Sequence, residues 1–124
     1  MKLWLDNNRP PPVSGGWTWV KTTAEAQRYL VAKVVTEASL DHDLDTPTSG
    51  GDLVAWMAAT GHWPTHAPKV HSGNVDAAKA MKATIADTCP QPPAPVTKVK
   101  PENRLANGGS QRYSPGSAKP KTLY

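Results

Sequence analysis

Glu37-Ala38-Ser39-Leu40-Asp41-His42-Asp43 is the stretch whose reading decides the fold. Four residues suited to a strand run straight into two carboxylates flanking an imidazole. A short apolar run ending in an acid is the pattern of a buried strand whose last residues emerge at a sheet edge. Lys2–Asp6, Lys-Leu-Trp-Leu-Asp, repeats it. Two more strands are read at Trp17–Val20, aromatic and β-branched after Gly15-Gly16, and at Lys69–Ser72.

Helical patterns separate these strands. Thr22 and Glu25 have capping-box spacing, and Ala26, Tyr29, Leu30, Lys33 and Val34 continue it, so a helix is predicted over about 23–33. Leu53, Val54, Trp56 and Met57 form an apolar stripe over Asp52–Thr60, with Gly61 as its stop. A last helix near 75–86 presents Val75, Ala78, Met81 and Ile85. Asn7–Gly16, with Pro10-Pro11-Pro12, reads as irregular, because proline lacks the amide donor and restricts its predecessor.

Strands alternating with helices imply right-handed crossovers. The expected fold is a small receiver-like, Rossmann-like α/β domain over 1–87, with about four mostly parallel strands and helices on both faces. Ligands of such sheets sit at the strands' carboxyl ends. Asp6, Asp41, Asp43, His71 and Ser72 all fall there.

Residues 88–124 differ in kind. They hold seven prolines, three glycines and no hydrophobic periodicity, and read as a Pro-rich, basic, extended tail. Residues 1–87 carry 8 basic and 9 acidic side chains, whereas 88–124 carry 6 and 1. The positive charge is therefore the tail's, and a nucleic-acid groove across the domain is unsupported. Cys89 is the single cysteine, which excludes an internal disulfide and a cysteine zinc site. No apolar run approaches the ~18 residues of a membrane span. The start, Met-Lys-Leu-Trp-Leu-Asp, becomes charged too soon for a secretory signal. A cytoplasmic protein is expected, or a virion component.

The acids suggest two chemistries. Asp41 and Asp43 face one side if the strand persists to Asp43. With Asp6 they would surround a hard cation, Mg2+ or Mn2+. Crowded carboxylates equally serve as an acid/base pair. His71 suits a proton donor or phosphate ligand. Ser72 and Asn74, at the start of the last helix, suit phosphate oxygens, and also suit plain helix capping. Arg9 reaches a phosphate bidentately or pairs with a nearby acid. No Ser/His/Asp motif stands out, and the tryptophans read as core.

Leu3-Trp4-Leu5-Asp6-Asn7-Asn8-Arg9-Pro10, Trp17-Thr18-Trp19-Val20-Lys21-Thr22, Ser39-Leu40-Asp41-His42-Asp43-Leu44 and Val70-His71-Ser72-Gly73-Asn74 together resemble the cyclic-phosphate processing receiver domains. These are small prokaryotic and phage-encoded relatives of response-regulator receivers. The resemblance covers nearly all of 1–87 and none of the tail. It implies a shortened receiver-like sheet and a phosphate-bearing ligand, a cyclic nucleotide or the cyclic phosphate of an RNA end. Asp6 and Asp41 then correspond to the receiver's acidic pocket, Asp41 at the phosphoacceptor-like place. Ser72 corresponds to the hydroxyl residue after the fourth strand, and Asp43 and His71 are this family's additions.

Two departures matter. Asn7 stands where the family usually has a second Asp, which removes one negative charge from a metal set. No lysine follows Ser72 at a fifth strand, since Lys79 and Lys82 lie in the last helix, so phosphorelay signalling is not expected. The leading expectation is a phosphoesterase or binder with catalytic Asp41, Asp43 and His71, metal-holding Asp6, Asp41 and Asp43, and phosphate-holding Arg9, Ser72 and Asn74. In it His71 protonates the leaving oxygen. The alternative is a non-enzymatic phage or bacterial interaction protein, a regulator, inhibitor or virion component. There the domain is a scaffold and tail 88–124 binds a protein partner in extended form. A basic nucleic-acid tether is a third reading, which requires steep salt dependence.

Overall fold

Four short parallel strands decide the architecture of the computed structural model, which describes residues 1–95. They are β1 (Lys2–Leu5), β2 (Trp17–Val20), β3 (Glu37–Leu40) and β4 (Lys69–Val70), in the order β2-β1-β3-β4. The register aligns Leu5 with Val20 and with Leu40, and Leu40 with Val70. Helices α1 (Thr23–Val31), α2 (Gly50–Thr60) and α3 (Val75–Thr88) follow β2, β3 and β4. This is the receiver-like α/β fold expected from the sequence.

Local chemistry explains the helix ends. Thr22 and Glu25 close a reciprocal capping box on α1. Ser49 and Asp52 do the same on α2, which therefore begins two residues earlier than the apolar stripe suggests. Asn74 caps α3 by accepting from the Ala77 amide. Gly61 ends α2 at φ 76°, where a side chain is strained.

β2 covers the expected Trp17–Val20, whereas β1, β3 and β4 stop short of the expected Lys2–Asp6, Glu37–Asp43 and Lys69–Ser72. The ladder continues by single bonds past the strand ends, from Asp6 N to Val20 O, Asp41 N to Leu5 O and His71 N to Leu40 O. Asp6, Asp41 and His71 are thus the first residues beyond β1, β3 and β4. The proline-rich β1–β2 connection holds one 3-10 turn, Val13–Gly15, where irregular chain was expected throughout.

One correction concerns the layers. A single buried cluster joins Leu3, Leu5, Val20, Ala38 and Leu40 of the sheet to residues of all three helices, among them Ala26, Leu30, Leu53, Met57, Met81 and Ile85. Strand residues of the other parity, including Trp4, Trp19 and Ser39, are not in it. All three helices therefore cover one face, and "both faces" does not hold. On the other face Trp4 is buried beneath the β1–β2 connection, its indole N–H donating to Arg9 O at 2.8 Å. Trp17 meets Trp4 edge-on with ring centroids 5.7 Å apart. Helices are absent there because β1 reaches β2 through a Pro-rich loop.

The compact unit extends beyond residue 87, to Ala94. Cys89 packs against the core and the Ala67 amide donates to Pro92 O at 2.8 Å. The rest of the expected tail, from 96, lies outside the described residues. No helix among the described residues is long and apolar enough to cross a membrane.

Candidate functional site

The carboxyl ends of β1 and β4, separated by β3, are joined by a side-chain contact. His71 Nε2 lies 3.0 Å from Asp6 Oδ2, and both side chains are largely buried. Burial raises the Asp6 carboxyl, but the Arg9 and Asn8 amides and the His71 ring outweigh it. Its pKa is held below the ordinary aspartate value. Burial lowers the His71 pKa from its usual 6.5, although Asp6 and Asp41 pull it upward, and nearby Arg9 adds to the lowering. At pH 7 the contact is accordingly a neutral imidazole donating to a carboxylate, and not a full ion pair.

That assignment fixes the other ring nitrogen. With Nε2–H given to Asp6, Nδ1 accepts, and the Ser39 hydroxyl 2.7 Å away donates to it. Ser39, His71 and Asp6 form a continuous hydrogen-bonded chain across the uncovered face. Trp4 lies flat against the imidazole, centroids 3.9 Å apart and planes 8° apart. No Ser/His/Asp motif is legible in the sequence, because Ser39 lies on β3 while Asp6 and His71 follow β1 and β4. Alternation within β1 and β3 puts Trp4 and Ser39 on Asp6's face, a signal the register alone makes legible.

Asp6 also shapes the turn that follows it. Its Oδ1 accepts from the Asn8 and Arg9 amides at 2.9 and 2.7 Å. Arg9 then reaches back, its Nη1 donating to His71 O at 2.9 Å. An exposed guanidinium thereby stands beside Ser72. Ser72 Oγ accepts from the Asn74 amide and Asn74 Oδ1 from the Ala77 amide, so both residues are structural caps first. The Ser72 hydroxyl proton and the Asn74 side-chain amide are still free to donate, next to the positive end of α3.

Asp41 is buried, with Oδ1 taken by the His42 amide at 2.8 Å and Oδ2 carrying no hydrogen bond among the described residues. Gly50 keeps its backbone in place: a Cβ there would sit 1.8 Å from Asp41 O. Only glycine permits this approach of α2 to the acidic turn. Asp43 diverges, since the strand ends at Leu40. Its side chain is 64% exposed and its Oδ1 lies 2.8 Å from His42 Nδ1.

The three-carboxylate metal set expected from Asp6, Asp41 and Asp43 does not fit an ion. Both Asp6 oxygens hold protein donors, and Asp43 is engaged by His42. Asn7, at the place of the usual second acid, gives its side-chain N–H to Asp45 Oδ2 at 2.9 Å. Among the described residues no group of three or more His, Cys, Asp or Glu is arranged to hold a metal. His71 likewise lacks a free N–H for a leaving oxygen, because both nitrogens are engaged.

No curated protein and no solved structure matches the chain. Residues 1–87 match the family described as the Cyclic-phosphate processing Receiver domain. That segment contains every side chain of the Asp6, Arg9, Ser39, Asp41 and His71 arrangement. The chain is a member of the cyclic-phosphate processing receiver domain family.

Proposed function

We propose that the carboxyl edge of the sheet binds and hydrolyses a cyclic phosphate carried by a nucleotide or an RNA end. The observation that carries this reading is the Arg9 Nη1 bond to His71 O, which spans 62 residues of chain. It sets a guanidinium against the β4–α3 turn, where hydroxyl, amide and helix-terminal donors meet. Such a combination suits phosphate oxygens.

Arg9, Ser72 and Asn74 hold the phosphate in this account. Asp41 Oδ2, the one carboxylate oxygen of the buried acids without a hydrogen bond among the described residues, takes a proton from water. The water oxygen bonds to phosphorus, the bond to one ring oxygen breaks, and the proton on Asp41 passes to that oxygen. A cyclic phosphodiester and water become a phosphomonoester with a free hydroxyl. His71 and Ser39 position Asp6 and the Arg9 turn and do not touch the ligand.

The test is hydrolysis of nucleoside 2′,3′-cyclic phosphates, 3′,5′-cyclic nucleotides and cyclic dinucleotides by the full chain. Turnover of at least one class, weakened in Arg9→Ala through a raised KM, supports the reading. Absence of turnover across the whole panel removes the enzyme and leaves the interaction protein.

A further inference from the structure

We propose that the cleft between β2 and α1, lined by Trp19, Val20, Glu25, Arg28, Tyr29 and Ala32, is a nucleobase subsite. The assignment extends the reading that a phosphate is held at Arg9, and names the ligand as one that carries a base. The cleft encloses about 410 Å³, within the range of small-ligand sites. Trp19 and Tyr29, 39% and 36% exposed, are large aromatic surfaces left facing water. Aromatic faces of this kind stack with any base.

Polar groups of both kinds stand beside them. Arg28 makes no ion pair within 4 Å among the described residues, so its donors are free. Glu25 spends Oε1 on the capping box, leaving Oε2 as an acceptor. Donor and acceptor side by side fit the edge of a heterocyclic base better than an aliphatic or purely anionic group. Lys21 Nζ lies over one face of the Trp19 ring, 4.8 Å from its centroid, so stacking at Trp19 uses the other face.

The wall is tied to the phosphate-binding turn through one residue. Trp19 donates its indole N–H to Asp6 O at 2.7 Å, while Asp6 Oδ1 accepts from the Arg9 amide.

The test follows the Trp19 indole N–H by NMR while the full chain is titrated separately with the four nucleosides, adenosine 2′,3′-cyclic phosphate and inorganic phosphate. A nucleoside that shifts this resonance supports the proposal. So does a loss of cyclic-nucleotide affinity of about tenfold or more in Tyr29→Ala, with Tyr29→Phe restoring it and phosphate affinity unchanged. If no nucleoside moves the resonance, or Tyr29→Ala binds the cyclic nucleotide as the parent does, these are ordinary surface residues and the proposal is overturned. Nucleoside binding without phosphate binding keeps the cleft and removes the Arg9 site. Phosphate binding without nucleoside binding does the reverse.

Discussion

Asp6 and His71 lie 65 residues apart in the chain, and their side chains meet at 3.0 Å across the end of β3. The contact is sandwiched between Trp4, stacked on the ring, and Ser39, bonded to its far nitrogen. It is where the architecture of the sheet becomes the geometry of a site.

The first prediction concerns pH. The folded-state pKa of His71 lies below its unfolded value of 6.5, so the unfolded chain binds the proton first. Stability contributed by this group is present above 6.5 and is lost as pH falls through 6.5 toward the folded value. Asp6, also depressed, contributes stability above the unfolded aspartate value and loses it as pH falls further. Urea midpoints at pH 8 and pH 5.5 should differ more in the parent than in His71→Gln. Equal differences in the two proteins contradict the assignment of a buried neutral imidazole.

Ser39→Ala removes the donor to His71 Nδ1 and leaves that buried nitrogen unpaired, at a cost of about 1–3 kcal/mol. Loss of a bond to the neutral ring also raises the His71 pKa and relaxes its tautomer. Nitrogen-15 NMR of His71 and urea unfolding measure both effects, and Ser39→Thr should restore them. An unchanged tautomer in Ser39→Ala contradicts the Ser39–His71–Asp6 hydrogen-bonded chain.

Two glycines separate packing from backbone strain. Gly50→Ala forces a Cβ onto the Asp41 carbonyl and should cost about 3 kcal/mol or more, with turnover impaired. Gly61→Ala meets no atom within 4 Å and suffers only its left-handed φ, at about 1 kcal/mol, with turnover intact. Thermal unfolding and turnover of the two variants give the order. A reversed order would mean that α2 does not press on the acidic turn.

Much of this was legible in the sequence. Helix α1 was marked by its Thr22–Glu25 capping box and α2 by its apolar stripe and Gly61 stop, and β1 and β3 by short runs ending in acids. The uncovered sheet face was not, because alternating strands and helices imply two covered faces, whereas here the one connection without a helix, the irregular Asn7–Gly16, is the one that runs over the second face. The site's inner layer was also hidden. Trp4 and Ser39 look like core until the β1–β3 register puts them on Asp6's side. Asp43 was misplaced for a simple reason: its alignment with Asp41 needed a strand continuing beyond Leu40.

Divalent cations give a further prediction. Asn7 bonds Asp45, and the Asp6 oxygens hold protein donors, so added Mg2+ should leave the melting temperature of the parent unchanged. Asn7→Asp places a carboxylate against Asp45, lowers stability without cation, and should gain a rise in melting temperature with millimolar Mg2+. A parent that is itself stabilised by Mg2+ contradicts the account of a committed Asp6.

The most direct measurement is hydrolysis of adenosine 2′,3′-cyclic phosphate followed by phosphorus-31 NMR, with the parent chain and Asp41→Asn side by side. The account predicts a phosphomonoester from the parent in the presence of a chelator. It predicts a loss of at least about 100-fold in Asp41→Asn, with the Trp4–His71 packing retained by near-UV circular dichroism. Equal turnover in the folded variant would show that Asp41 is not the base and that the chemistry lies elsewhere.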